Sequence, residues 1–275
     1  VRAGRLQRAL ACFIDLGDVR AMPIILQQDI PYDPAAAPRL PGIAPLDQKE
    51  WLLVDDAYGP QMAERTRILG EKPGEVLALD ALARPAADEL LETVLEHLRA
   101  RDDFEVSENA VRRPDGASVD IDYGDPMRSV GHLVQEDLCL MERRSGYEEH
   151  LLTGAVLCFP ASWRLSEKFM RPMLAIHKPV DVYDASLARR VQRLLDGVRP
   201  GRPLWRFNVL GYDDPSLHQP RSEGHSEPSE PSGRARAEAR YLRSERQCLV
   251  RLPRSNAVVF SIHTYVLDRR GMRRG

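Results

Sequence analysis

The chain has 275 residues, with 39 Lys and Arg against 41 Asp and Glu for a formal net charge of -2. A 43% hydrophobic content is enough to bury a sizeable core as one large domain or two small ones, and the near-balanced charge argues against nucleic acid or a membrane surface as partner. No apolar run reaches the roughly 18 residues of a membrane-spanning helix, and no phosphate loop, HExxH, GxSxG, nucleophile triad or internal repeat is present.

The segment 1–29 carries several Arg residues and an apolar patch, Ala9 to Ile14, broken at Asp15. It lacks a small-residue cleavage pattern, so a secretory signal is not expected. We read it as an extension outside the domain, with Met22 the natural start; a native mass that includes Val1 would refute this. A single domain is expected over 30–267, followed by a basic tail over 268–275. Cys12, Cys139, Cys158 and Cys248 show no CxxC spacing and read as reduced thiols, which points to the cytoplasm.

Residues 30–47 are rich in Pro and Ala and read as an extended lead-in, because each Pro fixes its own φ and biases its predecessor away from helix. Trp51, Leu52 and Leu53 form an apolar knot. A helix is expected over Gly59–Leu69, with Met62 facing in and Arg65 and Arg67 exposed. A second is expected over Pro85–Arg99, where Ala87, Leu90, Leu91, Val94, Leu95 and Leu98 recur at helical spacing. His97 falls off that stripe and reads as solvated. Residues 101–131 read as polar and turn-rich, with a turn at Pro114-Asp115-Gly116. Asp120, Asp122 and Asp125 lack the glycine and closing glutamate of a calcium loop and read as a solvated loop.

From Leu133 the pattern turns to strand. LVQEDLCLM and LLTGAVLCF read as an antiparallel pair. Glu136 and Asp137, adjacent in a strand, point to opposite faces; an inward carboxylate needs a cationic or hydrogen-bonding partner, and is either structural or part of a site. The stretch Leu151–Val180 places His177, several cations and one carboxylate beside a buried strand. His177 is either a hydrogen-bonded structural residue or a ligand to metal or haem. A further helix is expected after Asp184, with Leu187, Val191, Leu194 and Leu195 inward. In LWRFNVL, Trp205, Phe207 and Val209 share one face and Arg206 and Asn208 the other; the polar pair is either a wet face or a seat for an anion. Residues 213–238, rich in Ser, Glu, Pro and Gly, read as a mobile loop, and His218 and His225 within it are discounted. Two strands close the domain around Pro253–Asn256, with Ser261, His263 and Tyr265 on one face and Val258, Phe260, Ile262, Thr264 and Val266 on the other. His263 is expected on a polar or partly covered face. The element pattern is α+β.

The strings PLDQKEWLLVDDAY, VQEDLCLM, LTGAVLCFPASWRLSEK, IHKPV, WRFN and LRSERQCLVRLPRSNAVVFSIHTYV together resemble the haem-dependent oxidative N-demethylase family, over about Pro31 to Leu267. The resemblance implies a PAS-like antiparallel sheet with flanking helices and a b-type haem (iron) in its concave face. It implies a monooxygenase that oxidises dimethylamine or a similar secondary amine with O2 to a primary amine and formaldehyde, with electrons from NADPH through flavin (FMN) and iron–sulfur partner subunits. On this sequence it puts His177 as axial ligand, Arg164, Lys168, Arg206 and Asn208 about the cofactor, and Glu136 or Glu245 beside the cationic amine. Cys158 is a rival ligand, although an apolar strand disfavours its thiolate. Two departures stand out: the basic tail DRRGMRRG where the family continues into a helical segment, and His263 where Arg is expected. A haem-binding sensor or carrier, and a PAS-like interaction module without haem, are the other readings of such a chain, since fold does not fix function.

Overall fold

Strands within 137–156 and 241–268, buried on both faces, build the sheet on which everything else is mounted. In the computed structural model, which describes residues 24–36, 42–176, 185–221 and 239–271, the elements in chain order are β1 (Ala44–Pro45), α1 (Tyr58–Glu71), α2 (Pro73–Val76), β2 (Leu77–Leu79), α3 (Arg84–Arg99), β3 (Glu105–Val106), β4 (Ala110–Arg112), β5 (Ser118–Asp120), α4 (Pro126–Leu133), β6 (Asp137–Arg143), β7 (His150–Val156), α5 (Leu165–Lys168), α6 (Met173–Ile176), α7 (Ala185–Gly197), β8 (Leu204–Tyr212), β9 (Tyr241–Arg251) and β10 (Val258–Asp268). Seven strands form one sheet in the order β1-β8-β9-β10-β6-β7-β2, and β3-β4-β5 form a second, small one. Every pairing in the large sheet is antiparallel, so the fold is α+β with a large antiparallel sheet.

The period-2 alternation of each strand sends its residues to two separate cores. Leu138, Leu140, Val156, Cys248, Val250 and Val259 pack with apolar residues of α1, α3 and α4. Their neighbours Cys139, Met141, Ala155, Leu249 and Val258 pack on the other side with Leu165, Ile176, Val191 and Leu195 from α5, α6 and α7. The helix α3 begins with Pro in its first turn and buries the expected stripe, as its sequence period requires. The chain around Gln27 runs beside β10, with the Gln27 amide donating to the Val266 carbonyl at 2.9 Å and the Val266 amide to Gln27 Oε1 at 2.8 Å.

Several expectations are overturned. Arg65 is fully buried: it donates through Nη1 to Asp137 Oδ1 at 2.7 Å and through Nε to the Gly131 carbonyl at 3.1 Å. His97 is half-buried, edge-on to Trp51 with ring centroids 5.8 Å apart. The turn-rich reading of 101–131 gives way to β3–β5 and α4, although the turn at 114–116 is there, closed by the Gly116 amide on the Arg113 carbonyl with Gly116 at φ 82°, a conformation that suits glycine. Asp122 and Asp125 accept from the amides of Gly124 and Arg128, so they cap local structure. Within 213–221 the chain is tied to the domain at Leu217, which is buried, and at His218, whose Nδ1–H donates to the Cys158 carbonyl at 2.8 Å. The extension over 1–23, Met22, Cys12, His177, Asp184 and the loop over 222–238 lie outside the described residues.

Candidate functional site

The α7-side face of the sheet carries a polar row where β8, β9 and β10 run together. Register sets Asn208 opposite Glu245 and Arg206 opposite Gln247, and Thr264 and Ile262 opposite those two on β10. Directly opposed residues share a face, so the six side chains form two adjacent rungs. Glu245 is 6% exposed. Its Oε2 accepts from Asn208 Nδ2 at 2.9 Å and from Gln247 Nε2 at 3.1 Å, and Asn208 Oδ1 in turn accepts the Glu245 amide at 3.0 Å. The other oxygen, Oε1, has Arg243 Nε at 3.9 Å, too far for a hydrogen bond. One carboxylate oxygen is thus fixed by two amides, and the other faces the Arg243 guanidinium at ion-pair distance without a hydrogen bond.

The same face holds three of the buried side-chain atoms that lack a partner: Arg206 Nε, Arg243 Nε and Thr264 Oγ1. Each such atom costs about 1–3 kcal/mol when nothing satisfies it, so their gathering on one face marks a place for a polar or charged group. Arg206 gives Nη1 to Gln247 Oε1 at 2.8 Å, and burial pushes its guanidinium pKa down, partly offset by Glu245. Beside this row lie the half-buried Leu204 and Phe260, members of the apolar cluster under α5, α6 and α7. An arginine whose Nε has no acceptor, beside an apolar floor, is a donor set suited to a carboxylate.

The remaining sequence-selected residues are distributed as follows. Lys168 is buried and donates to the Ile176 carbonyl, so it ties α5 to the end of α6, one residue before His177. Arg164 is exposed at the start of α5. His177 lies outside the described residues. Cys158 is buried, and burial, opposed by Arg65, pushes its thiol up to about 12, which removes the thiolate a haem ligand requires.

Glu136 stands on the opposite face from Glu245. It is paired with His263, whose Nδ1 lies 2.9 Å from Glu136 Oε1 and whose Nε2 lies 3.1 Å from Asp55 Oδ2. All of His263 is buried. Burial alone would lower its pKa, but the two carboxylates outweigh that and raise it to about 9; both carboxylates are lowered in return, chiefly by His263 against the opposing effect of burial. The expected polar or partly covered setting of His263 is therefore corrected to a sealed imidazolium between two acids. Around it, Leu53 donates its amide to Glu136 Oε1 at 2.9 Å, and Gln27 and Gln135 donate to Asp55 at 2.9 and 2.8 Å. These bonds fasten Gln27 and the stretch over 53–55 to the sheet. They bring together residues 208 apart in sequence, which no local pattern signals.

A polar cleft of about 400 Å³ opens at the far end of β9, lined by His150, Asp196, Arg251, Asn256 and others. It includes none of the sequence-selected residues.

Residues 42–274 match the family of haem-dependent oxidative N-demethylase, alpha subunit-like, proteins.

Proposed function

The chain belongs to the haem-dependent oxidative N-demethylase, alpha subunit-like, family, and from that membership we propose that it is the haem-binding subunit of a monooxygenase that removes a methyl group from a small secondary amine such as dimethylamine. In this reading the fold is PAS-like, and His177, with residues of the α7-side face, would hold a b-type haem. When bound, the haem supplies the activation of O2. Overall, amine, O2, two electrons and two protons give the primary amine, formaldehyde and water. The electrons come from NADPH through flavin (FMN) and iron–sulfur subunits, in the cytoplasm.

The chain's own residues bind and orient. A secondary amine is a cation at neutral pH and offers N–H donors, and Glu245 Oε1, in a buried setting, has the Arg243 guanidinium at 3.9 Å but no short hydrogen bond. That arrangement is the observation on which the reading rests. Asn208 and Gln247 hold the other oxygen, so the carboxylate needs no reorganisation when the amine arrives. Arg206, with its unsatisfied Nε, meets a haem propionate. Lys168, through the Ile176 carbonyl, positions the segment that leads to His177. Glu136, engaged by His263, takes no part at the amine.

The test is the formaldehyde formed from dimethylamine by the haem-loaded protein with a reductant. Glu245→Gln keeps the amide contacts' shape but removes the charge, and KM for the amine rises at least tenfold, the size of about one lost charge-assisted hydrogen bond. An unchanged KM in this variant contradicts the assignment of Glu245. A normal haem spectrum with no formaldehyde in the wild type favours the sensor or carrier reading.

A further inference from the structure

The outer side of α7 carries charge that no acidic side chain among the described residues pairs with. Val191, Leu194 and Leu195 pack toward the sheet, while Arg189, Arg190 and Arg193 are exposed, and Arg199 and Arg202, exposed on the turn that follows, continue the row. Among the described residues none of the five has an ion-pair partner. Many other surface arginines do: Arg67 with Glu64 and Glu71, Arg84 with Asp88, Arg128 with Asp125 and Arg240 with Asp268. The whole chain is near neutral, with 39 basic residues against 41 acidic ones, so the row is a local concentration and not a consequence of composition.

The row also works against the helix that bears it. Arg189 and Arg193 stand four residues apart on one side, a spacing at which like charges destabilise a helix. The helix dipole gives little relief, since no basic residue falls in the last turn. Asp196, the carboxylate on this side, is already held by Arg143 at 3.2 Å and Gln192 at 3.0 Å. From Arg189 to Arg199 the row spans roughly 15 Å at helical rise, enough to anchor the small interface typical of transient encounters between redox proteins.

We infer that the exposed side of α7 and the turn after it dock an acidic surface of another subunit of the assembly. The inference rests on the proposed function only for the existence of that subunit, which the family name, alpha subunit-like, already implies. Charge complementarity of this kind steers encounter and weakens as salt rises. It also puts the partner about one helix diameter, roughly 10 Å, from the Glu245 face, because the inner side of α7 rests on that face.

The experiment measures binding of the full chain to a fluorescently labelled acidic [2Fe–2S] ferredoxin as probe, with a basic cytochrome c, duplex DNA and phosphatidylserine vesicles as comparators. The ferredoxin is expected to bind most tightly, with affinity falling at least tenfold between about 20 and 150 mM salt. The combined variant R189E/R190E/R193E is expected to weaken it at least tenfold more, while R99E/R112E, two exposed arginines away from α7, stays within about twofold. Equal binding by the α7 variant, equal loss in the control variant, or tighter binding of DNA or vesicles than of ferredoxin overturns the inference. The haem spectrum separates this outcome from the proposed function: if the α7 variant keeps a normal haem spectrum while ferredoxin binding is insensitive to it, docking fails and the Glu245 site stands.

Discussion

His263 shows how far one side chain's setting can depart from its local pattern. Strand alternation puts it with Ser261 and Tyr265, and the structure agrees, yet that face is covered by Gln27 and by residues 51–55. The imidazolium is held between Glu136 and Asp55. Its pKa is raised in the folded state to about 9 from an unfolded value near 6.5, so its contribution to stability is complete below about pH 6.5 and is lost as pH rises through 9. The lowered carboxylates act in the other direction and lose their contribution as pH falls through the acid range. Thermal melts of the apoprotein should therefore show Tm falling from pH 6.5 to 9.5, by about 2–4 °C for each kcal/mol lost; a flat profile over that window would mean that the cluster is not charged as described. Replacing the imidazole, His263→Leu, leaves two buried acids facing each other and is expected to cost about 3–5 kcal/mol in urea melts. Arg65 teaches the same lesson. A charged residue in an amphipathic repeat is normally exposed, and its partner Asp137 is 72 residues away.

At the scale of elements, the strands were legible and the polar helix was not. The apolar runs that form β6, β7, β9 and β10 are buried on both faces, so their existence as strands is legible, while the order and register of the sheet are not. The helix α4 eluded the same reasoning because its first residues, Asp125 and Pro126, look like a turn and its sequence includes Gly131 and polar residues. Its packing explains the glycine: a Cβ at Gly131 would lie 2.7 Å from Val156 Cγ2 and 3.2 Å from Leu69 Cδ1. Gly131→Ala should then destabilise the fold by about 1–3 kcal/mol through overpacking, read as a lower midpoint of chemical unfolding with unchanged m; a variant as stable as the wild type would show that α4 can move off β7 freely. The helix α7 is anchored at its C-terminal end by Arg251, which donates to the carbonyls of Val198 and Leu195 and also to Asn256. That is where an arginine complements both the orphan carbonyls and the dipole, and it joins the helix to the β9–β10 turn.

For the whole molecule, the two faces of the sheet divide the labour. One side is a closed core braced by the His263 cluster. The other joins an apolar cluster to a polar row with three unsatisfied atoms, under helices that are short or strongly amphipathic. The expected polar pairing of Arg206 with Asn208 was visible as a shared strand face, while Glu245 was singled out only through the family resemblance. Their convergence was not visible, because it depends on the register of β8, β9 and β10. Glu136 and Glu245 were both candidates in the sequence; the sheet puts them on opposite faces, with Glu136 bound to His263 and Glu245 bound to Asn208 and Gln247.

The claim on which the account turns is that the Glu245 face, with the imidazole of His177, holds a haem. The most direct measurement is the visible absorption of the purified protein titrated with haem, wild type beside His177→Ala. The account predicts a saturable Soret band at one haem per chain in the wild type, and loss of stable binding in the variant with the same circular dichroism. A wild type that takes up no haem, or a variant whose haem spectrum matches the wild type, would contradict it.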